Sequence, residues 1–218
     1  MIHNEKERFS NQMNIRGIGA LSSRDEVNCD RERKKHAILR LLLGMLALAV
    51  LPSIVVAEER TCRGDLGGAA VDNLRVPDGA TCTLSRNHVK GNIKVESRAT
   101  LYARGVRVGG NVQAQNARLV SVTQASRIGG SVQVKQGGSA TVLDSTVQGD
   151  IQYEANNNSL RANDNHVGGN VQVIGNHARA EIYRNVIDGN LQCKENSPRP
   201  GGRGNDVRGN KENQCSAF

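Results

Sequence analysis

The stretch VGGNVQAQ at residues 108–115 returns as IGGSVQVK at 128–135, as VQGDIQYE at 147–154 and as VGGNVQVI at 167–174. Aligned on one glycine, the chain becomes a ladder of Gly91, Gly110, Gly130, Gly149, Gly169, Gly189 and Gly209, each 19 or 20 residues from the next. A fixed period of this length marks a solenoid, whose units stack because no single unit can bury its own apolar face. The apolar residues around the glycine alternate with polar ones, which is the strand period rather than the helical one.

Two residues before each glycine or glycine pair stands Val89, Val108, Ile128, Val147, Val167, Ile187 or Val207; two residues after the ladder glycine stands Ile93, Val112, Val132, Ile151, Val171 or Leu191. Two further on come Val95, Ala114, Val134, Tyr153, Val173 and Cys193, and about ten residues past the glycine a second alternating pair follows, as in Leu101 with Ala103 or Val120 with Val122. Alternate residues of a strand share one face, so these columns predict an apolar interior lined by three short strands per coil. The fold expected is all-β: a single-stranded parallel β-helix of about seven coils, right-handed by the usual hand of parallel crossovers. Where the period grows from 19 to 20 the extra residue falls in a turn. The ladder glycine is expected at a corner that needs either a positive φ or a close approach of backbone.

Three polar rows share the register. Asn92, Asn111, Ser131, Asp150, Asn170, Asn190 and Asn210 follow the glycine; Asn87, Ser126, Ser145, Asn165, Asn185 and Asn205 precede the corner valine, with Val106 breaking the row; and Lys94, Gln113, Gln133, Gln152, Gln172 and Gln192 should point outward. Stacked amides can hydrogen-bond from coil to coil, and all three rows read first as turn chemistry and solvation.

Composition agrees with thin stacked layers. Aromatic residues are 2% of the chain, Trp is absent and glycine numbers 24, so the buried area that large rings supply elsewhere must come from Val, Ile, Leu and Ala.

The N-terminal segment reads as an export signal. RERKKH at 31–36 is a basic region, 37–51 is apolar apart from Arg40, Pro52 breaks the helix, and cleavage is expected after Ala57. The apolar run is shorter than the roughly 20 residues a membrane span takes, so no spanning segment is expected after cleavage. Residues 1–36 form a polar leader, either a cytoplasmic extension of the signal or sequence upstream of the true start. The organisation expected is leader 1–36, signal peptide 37–57, N-terminal cap 58–70 and solenoid 71–215, in a secreted or periplasmic protein.

Export leaves four cysteines, Cys62, Cys82, Cys193 and Cys215, an even number for an oxidising compartment. Cys62 lies one period before Cys82, and Cys215 lies 22 residues after Cys193. The pairs 62–82 and 193–215 alone join neighbours, because the two ends of the stack stand about 30 Å apart at about 4.8 Å per coil. Each would staple one end for roughly 3 kcal/mol. Beyond residue 57 there are 20 Lys+Arg and 15 Asp+Glu, a net +5. That is mildly basic, with no nucleic-acid footprint.

The GNVQ phrase resembles that of secreted bacterial repeat proteins whose function is unassigned, and the coil architecture is similar to parallel β-helices in general, including the polymer-forming bactofilins and the pectate-lyase-like group. The resemblance covers residues 71–215 at the level of fold. A period of about 20 exceeds that of the bactofilins, and export removes a cytoskeletal role.

Stacking makes site proposals concrete, since only residues in one column of adjacent coils are neighbours. Asp144 and Asp164 stand three residues before the corner valine of consecutive coils, with Arg184 one coil higher. A carboxylate pair about 5 Å apart is the arrangement of retaining glycosidases, so these two are the candidate catalytic residues of a β-helix polysaccharide lyase or glycosidase. No long loops build a cleft around them. His88 and His166 share a column but lie four coils apart, and His177 is on another face, so neither a metal nor a cofactor site is expected. The tripeptide Arg63-Gly64-Asp65 lies in the cap, Asn157 begins an Asn-x-Ser acceptor, and SPRPGGRG at 197–204 reads as a loop. The function expected is structural or binding: flat polar faces presented, at the envelope or outside the cell, to an anionic polysaccharide or a partner protein's surface, with catalysis by Asp144 and Asp164 as the alternative.

Overall fold

The computed structural model describes residues 58–218 as a parallel β-solenoid without a helix. Three sheets run the length of the stack. Sheet A has nine strands, from Glu59–Thr61 through Val112–Gln115 and Val132–Lys135 to Lys211–Asn213; sheet B has eight, from Gly64–Asp65 to Gly201–Arg203; sheet C has eight strands of two residues each, from Ala70–Val71 to Asp206–Val207. Every pairing is parallel and joins one coil to the next, as in Val112 with Val132 or Leu101 with Val120. The stack comes to about eight coils rather than seven, because the residues expected as an N-terminal cap already pair as its first rung: Arg60 with Leu74 and Gly64 with Cys82. The leader, the signal peptide and its cleavage point after Ala57 lie outside the described residues.

The inward columns are those the alternation indicates. Val112, Val132, Ile151, Val171 and Leu191 are all buried, as are Leu101, Val120, Ala140, Leu160 and Ala180. Each large apolar side chain removed from water contributes about 1.5–3 kcal/mol, and only the stacking of coils removes it. Among the described residues Tyr153 is the one aromatic ring fully inside; its hydroxyl donates to the Arg161 carbonyl at 2.8 Å, and burial pushes the phenol far above its ordinary range. Cys62 is bonded to Cys82 and Cys193 to Cys215, with Cα separations of 5.6 and 5.2 Å.

The corners resolve the open question about glycine. None of the ladder glycines has a positive φ. Their reason is close approach: a Cβ on Gly189 would lie 2.6 Å from Asn170 Oδ1 and 2.6 Å from the Gly169 carbonyl oxygen. The polar residue after the ladder glycine leans onto the corner of the next coil, where Asn111 Oδ1 accepts the Ser131 N–H and Asn170 Oδ1 accepts the Asn190 N–H, both at 2.8 Å. Glycine and polar row are thus one device, since only a residue without Cβ leaves room for the side chain that bonds the next coil.

Positive φ occurs instead at the other two corners, mostly in residues that do have a Cβ: Asn116, Gln136, Ala155 and Glu195 after sheet A, and Arg86, Asp144, Asp164 and Arg184 after sheet B. Each of the last four precedes an inward polar residue of the second row. That row is not solvated, since Asn165, Asn185 and Asn205 are 2%, 1% and 5% exposed. Asn185 shows the pattern: its Nδ2 donates to the Ala162 carbonyl at 2.6 Å and to Asn205 Oδ1 at 2.9 Å, while its Oδ1 accepts the Asn165 N–H at 3.0 Å. A fourth row, Asn156, Asn176 and Asn196, does the same at the corner between sheets A and B.

One further expectation changes. Within 197–204, Gly201–Arg203 is a strand of sheet B paired with Glu181, Ile182 and Tyr183, not loop. It carries glycine because the Phe218 ring lies against Gly202 and closes that side of the final coil.

Candidate functional site

Asp144 and Asp164 occupy equivalent corners of consecutive coils, each after a sheet B strand in which Leu143 pairs with Asn163. Both are exposed. Arg184, on the next coil, closes Asp164 in a two-point ion pair, Nε to Oδ1 and Nη2 to Oδ2, both 2.7 Å. The guanidinium hydrogen bonds hold the Asp164 carboxyl below its ordinary value and raise the arginine's. A glycosidase needs one carboxyl kept protonated near neutral pH and an ionised partner free to meet the sugar or its water. Both Asp164 oxygens are held by Arg184, and none of the depressions among the described residues is bordered by Asp144 or Asp164.

The remaining singled-out residues separate in the same way. His88 and His166 fall in one outward column of sheet C, four rungs apart, and His166 Nε2 faces Asp188 Oδ2 at 3.9 Å. Among the described residues no group of three His, Cys, Asp or Glu converges on a point that could hold a metal ion. Gly64 and Asp65 form a strand of sheet B, and Asp65 Oδ1 accepts the Gly67 N–H at 2.8 Å, so the Arg-Gly-Asp tripeptide is part of a rung rather than a loop tip. Asn157 is exposed at a corner.

The face with the most developed polar chemistry is the outside of sheet A. Gln113 Nε2 donates to Gln133 Oε1 at 3.2 Å, Gln133 to Gln152 at 2.9 Å and Gln152 to Gln172 at 3.0 Å. Near the N-terminal end of this row lies an open depression of about 560 Å³, bordered by Arg75, Lys94, Glu96, Gln113, Gln115 and Lys135. Its charges are matched: Arg75 grips Glu96 at two points, both 2.8 Å, Lys94 stands 3.4 Å from Glu96, and Lys135 Nζ lies 2.8 Å from Glu154. The arginine hydrogen bonds hold the Glu96 carboxyl below the usual range. The surface therefore offers fixed amide donors and acceptors at one-rung spacing with little unbalanced charge, the chemistry that meets hydroxyls rather than ions.

Sequence reasoning found the glutamine row but not the depression, which depends on how Lys94, Glu96 and their neighbours on adjacent rungs orient their side chains. It also missed the Asn156 row. The 20-residue spacing of Asn156, Asn176 and Asn196 was the available signal, obscured because Ala117 and Gly137 occupy the same column in earlier coils.

No protein-family model matches the chain, and neither does any curated protein or solved structure. The structure shows a parallel β-solenoid, and none of these comparisons ties it to the bactofilins or to the pectate-lyase-like group. Among the described residues, no helix is long and apolar enough to cross a membrane.

Proposed function

We propose that the chain is an exported, non-catalytic binding module of the envelope or extracellular space, which presents the outer face of sheet A to a repeating polymer. The observation that carries this reading is the glutamine row, whose amides are hydrogen-bonded coil to coil from Gln113 to Gln172. Side chains tied to one another lose less freedom on meeting a ligand, and they repeat at about 4.8 Å as the strands do. A polymer with hydroxyls at regular intervals would find the same contact on successive rungs. Export is supported by the signal-like residues 31–57 and by two disulfides, which persist in oxidising compartments.

Binding of the full chain to a panel of neutral and acidic polysaccharides tests this, with Gln133→Ala/Gln152→Ala as the variant. Affinity for at least one neutral glycan should fall about fivefold or more, as expected for two lost hydrogen bonds. A protein partner that binds sheet A while no glycan does would replace the polymer with a protein surface. The rival enzymatic reading keeps one favourable observation, the adjacency of Asp144 and Asp164. Turnover of a uronate polysaccharide that disappears in Asp164→Asn would establish that reading and end this one.

A further inference from the structure

The positive charge of the solenoid is concentrated. Residues 79–135 hold nine Lys+Arg against one carboxylate, whereas residues 136–218 hold eight against nine. Within the basic part the cations on sheet A all have acid partners. On the sheet C side Lys90 is paired with Asp72 at 2.8 Å, but the arginines are not paired. His88, Arg107 and Arg127 are register neighbours on three successive rungs of sheet C, all exposed. Arg86 and Arg104 flank them at the corner from sheet B, where the Arg86 N–H donates to the Arg104 carbonyl at 2.9 Å and the Arg86 side chain lies along Gly105 of the next coil. None of these four arginines forms an ion pair with a described residue. The nearest corner carboxylate, Asp144, forms none with Arg127.

Like charges directly opposite each other on neighbouring strands are destabilising. The fold gains nothing from holding Arg107 over Arg127, and the ordinary remedy appears further along the stack, at the same corner and on the residues beside the same strands. There Asp164 is paired with Arg184, and Asp188 stands between His166 and Arg208, at 3.0 Å from the Arg208 Nη1. The basic half lacks the acids that the other half supplies.

We propose that this arginine rail of sheet C and its corner is a binding site for a linear acidic polysaccharide. Its guanidiniums pair with carboxylate or sulfate groups in two-point fashion. The rail is straight and rigid, one residue wide, with rungs about 4.8 Å apart, close to the advance of one sugar unit along an extended glycan. The site is independent of sheet A and does not rest on the reading given there. An acidic glycan is favoured over nucleic acid because the rail's only neighbouring aromatic, Tyr102, has its ring under Arg104, 5.5 Å from the guanidinium carbon, which leaves no free platform for a base. Both disulfides also favour a compartment in which glycans are the available polyanions.

The test measures binding of the disulfide-bonded full chain to polygalacturonate and dextran sulfate, with fully methyl-esterified polygalacturonate and plain dextran as uncharged counterparts and a mixed-sequence DNA duplex as competitor. Both acidic glycans, or one of them, should bind in a salt-sensitive manner, and Arg107→Glu/Arg127→Glu should weaken that binding by at least about tenfold. Arg86→Glu/Arg104→Glu should act in the same direction, which guards against a fold defect in one variant. Lys94→Glu/Lys135→Glu alters the net charge equally on sheet A and should cost less than about threefold. Equal losses in all three variants would mean that net charge alone is being sensed and would overturn the proposal; so would tighter binding to DNA than to either glycan, or no acidic-glycan binding at all. Neutral glycan binding that survives Arg107→Glu/Arg127→Glu bears on sheet A alone, so the two readings fail separately.

Discussion

The corner that carries the glycine ladder and the corner that follows sheet B turn the chain by opposite means. At the first, glycine has an ordinary negative φ and is required because Asn170 Oδ1 and the Gly169 carbonyl leave no space for a Cβ above them. At the second, Asp144, Asp164 and Arg184 take φ values of 45°, 58° and 51°, although each carries a Cβ. Glycine is therefore placed where space is short, and backbone strain is accepted where space is free. The strained residue is followed in each case by a buried polar side chain whose hydrogen bonds hold the corner in place: Ser145 after Asp144, Asn165 after Asp164 and Asn185 after Arg184.

Removing the amide should be the most damaging change. Asn185→Ala strips partners from the Ala162 carbonyl and the Asn165 N–H, both enclosed, and at about 1–3 kcal/mol per unmet group the loss should reach about 4 kcal/mol. The midpoint of urea unfolding measures it. Gly189→Ala meets backbone and should cost about 3 kcal/mol by overpacking, with amide exchange accelerated at Asn190 and Asn210. Gly175→Ala makes the same chemical change at a position where nothing lies within 4 Å but φ is +63°; only conformational cost applies, about 1 kcal/mol. The reverse substitution, Ala155→Gly, relieves a φ of 54° and should stabilise by up to about 1 kcal/mol in calorimetry. If Gly189→Ala and Gly175→Ala proved equally costly, the distinction between crowded and strained corners would be lost.

The smallest effect belongs to the exposed ion pair. Asp164 titrates below its unfolded value, so the stability it contributes is present above about pH 4 and is lost as pH falls through the folded value. Both partners are roughly half exposed, at 45% and 62%, so Asp164→Asn should shift stability by less than about 0.5 kcal/mol. Comparing wild type and variant unfolding at pH 7 and pH 3 gives the difference directly.

The columns were legible because stacking converts sequence period into spatial adjacency. Gly110, Val112 and Gln113 have the same neighbours in every coil, so twenty-residue spacing sufficed to place them, and it also paired Cys62 with Cys82 and Cys193 with Cys215. The cause of the glycine was not legible, since positive φ and steric crowding select the same residue. The burial of Asn165 was misread because asparagine is common in solvated turns, and only the geometry shows its two donors and its acceptor all engaged inside the stack. The Asp144–Asp164 adjacency was readable as neighbourhood, but its chemistry depended on the direction of the Arg184 side chain. The arginine rail did have a signal, since Arg107 and Arg127 directly precede Val108 and Ile128 as His88 precedes Val89. It acquires meaning only when acids are found further along the stack, Asp164 in the Arg86 column and Asp206 in the Arg107 column.

The buried amides also have a direction. From Asn156 to Asn176 to Asn196, and from Asn165 to Asn185 to Asn205, each Nδ2 donates forward to the amide oxygen of the next coil as well as back to a carbonyl of the coil before, and each Oδ1 accepts only from the coil before it; in the first row Gln214 accepts the last forward donor at 3.0 Å. Each coil of this C-terminal half is thus a plug on one side and a socket on the other. A tandem copy of one twenty-residue unit, spliced between two others, would arrive already matched to both cut surfaces, so the length of such a protein can change by gene duplication without any residue having to adapt.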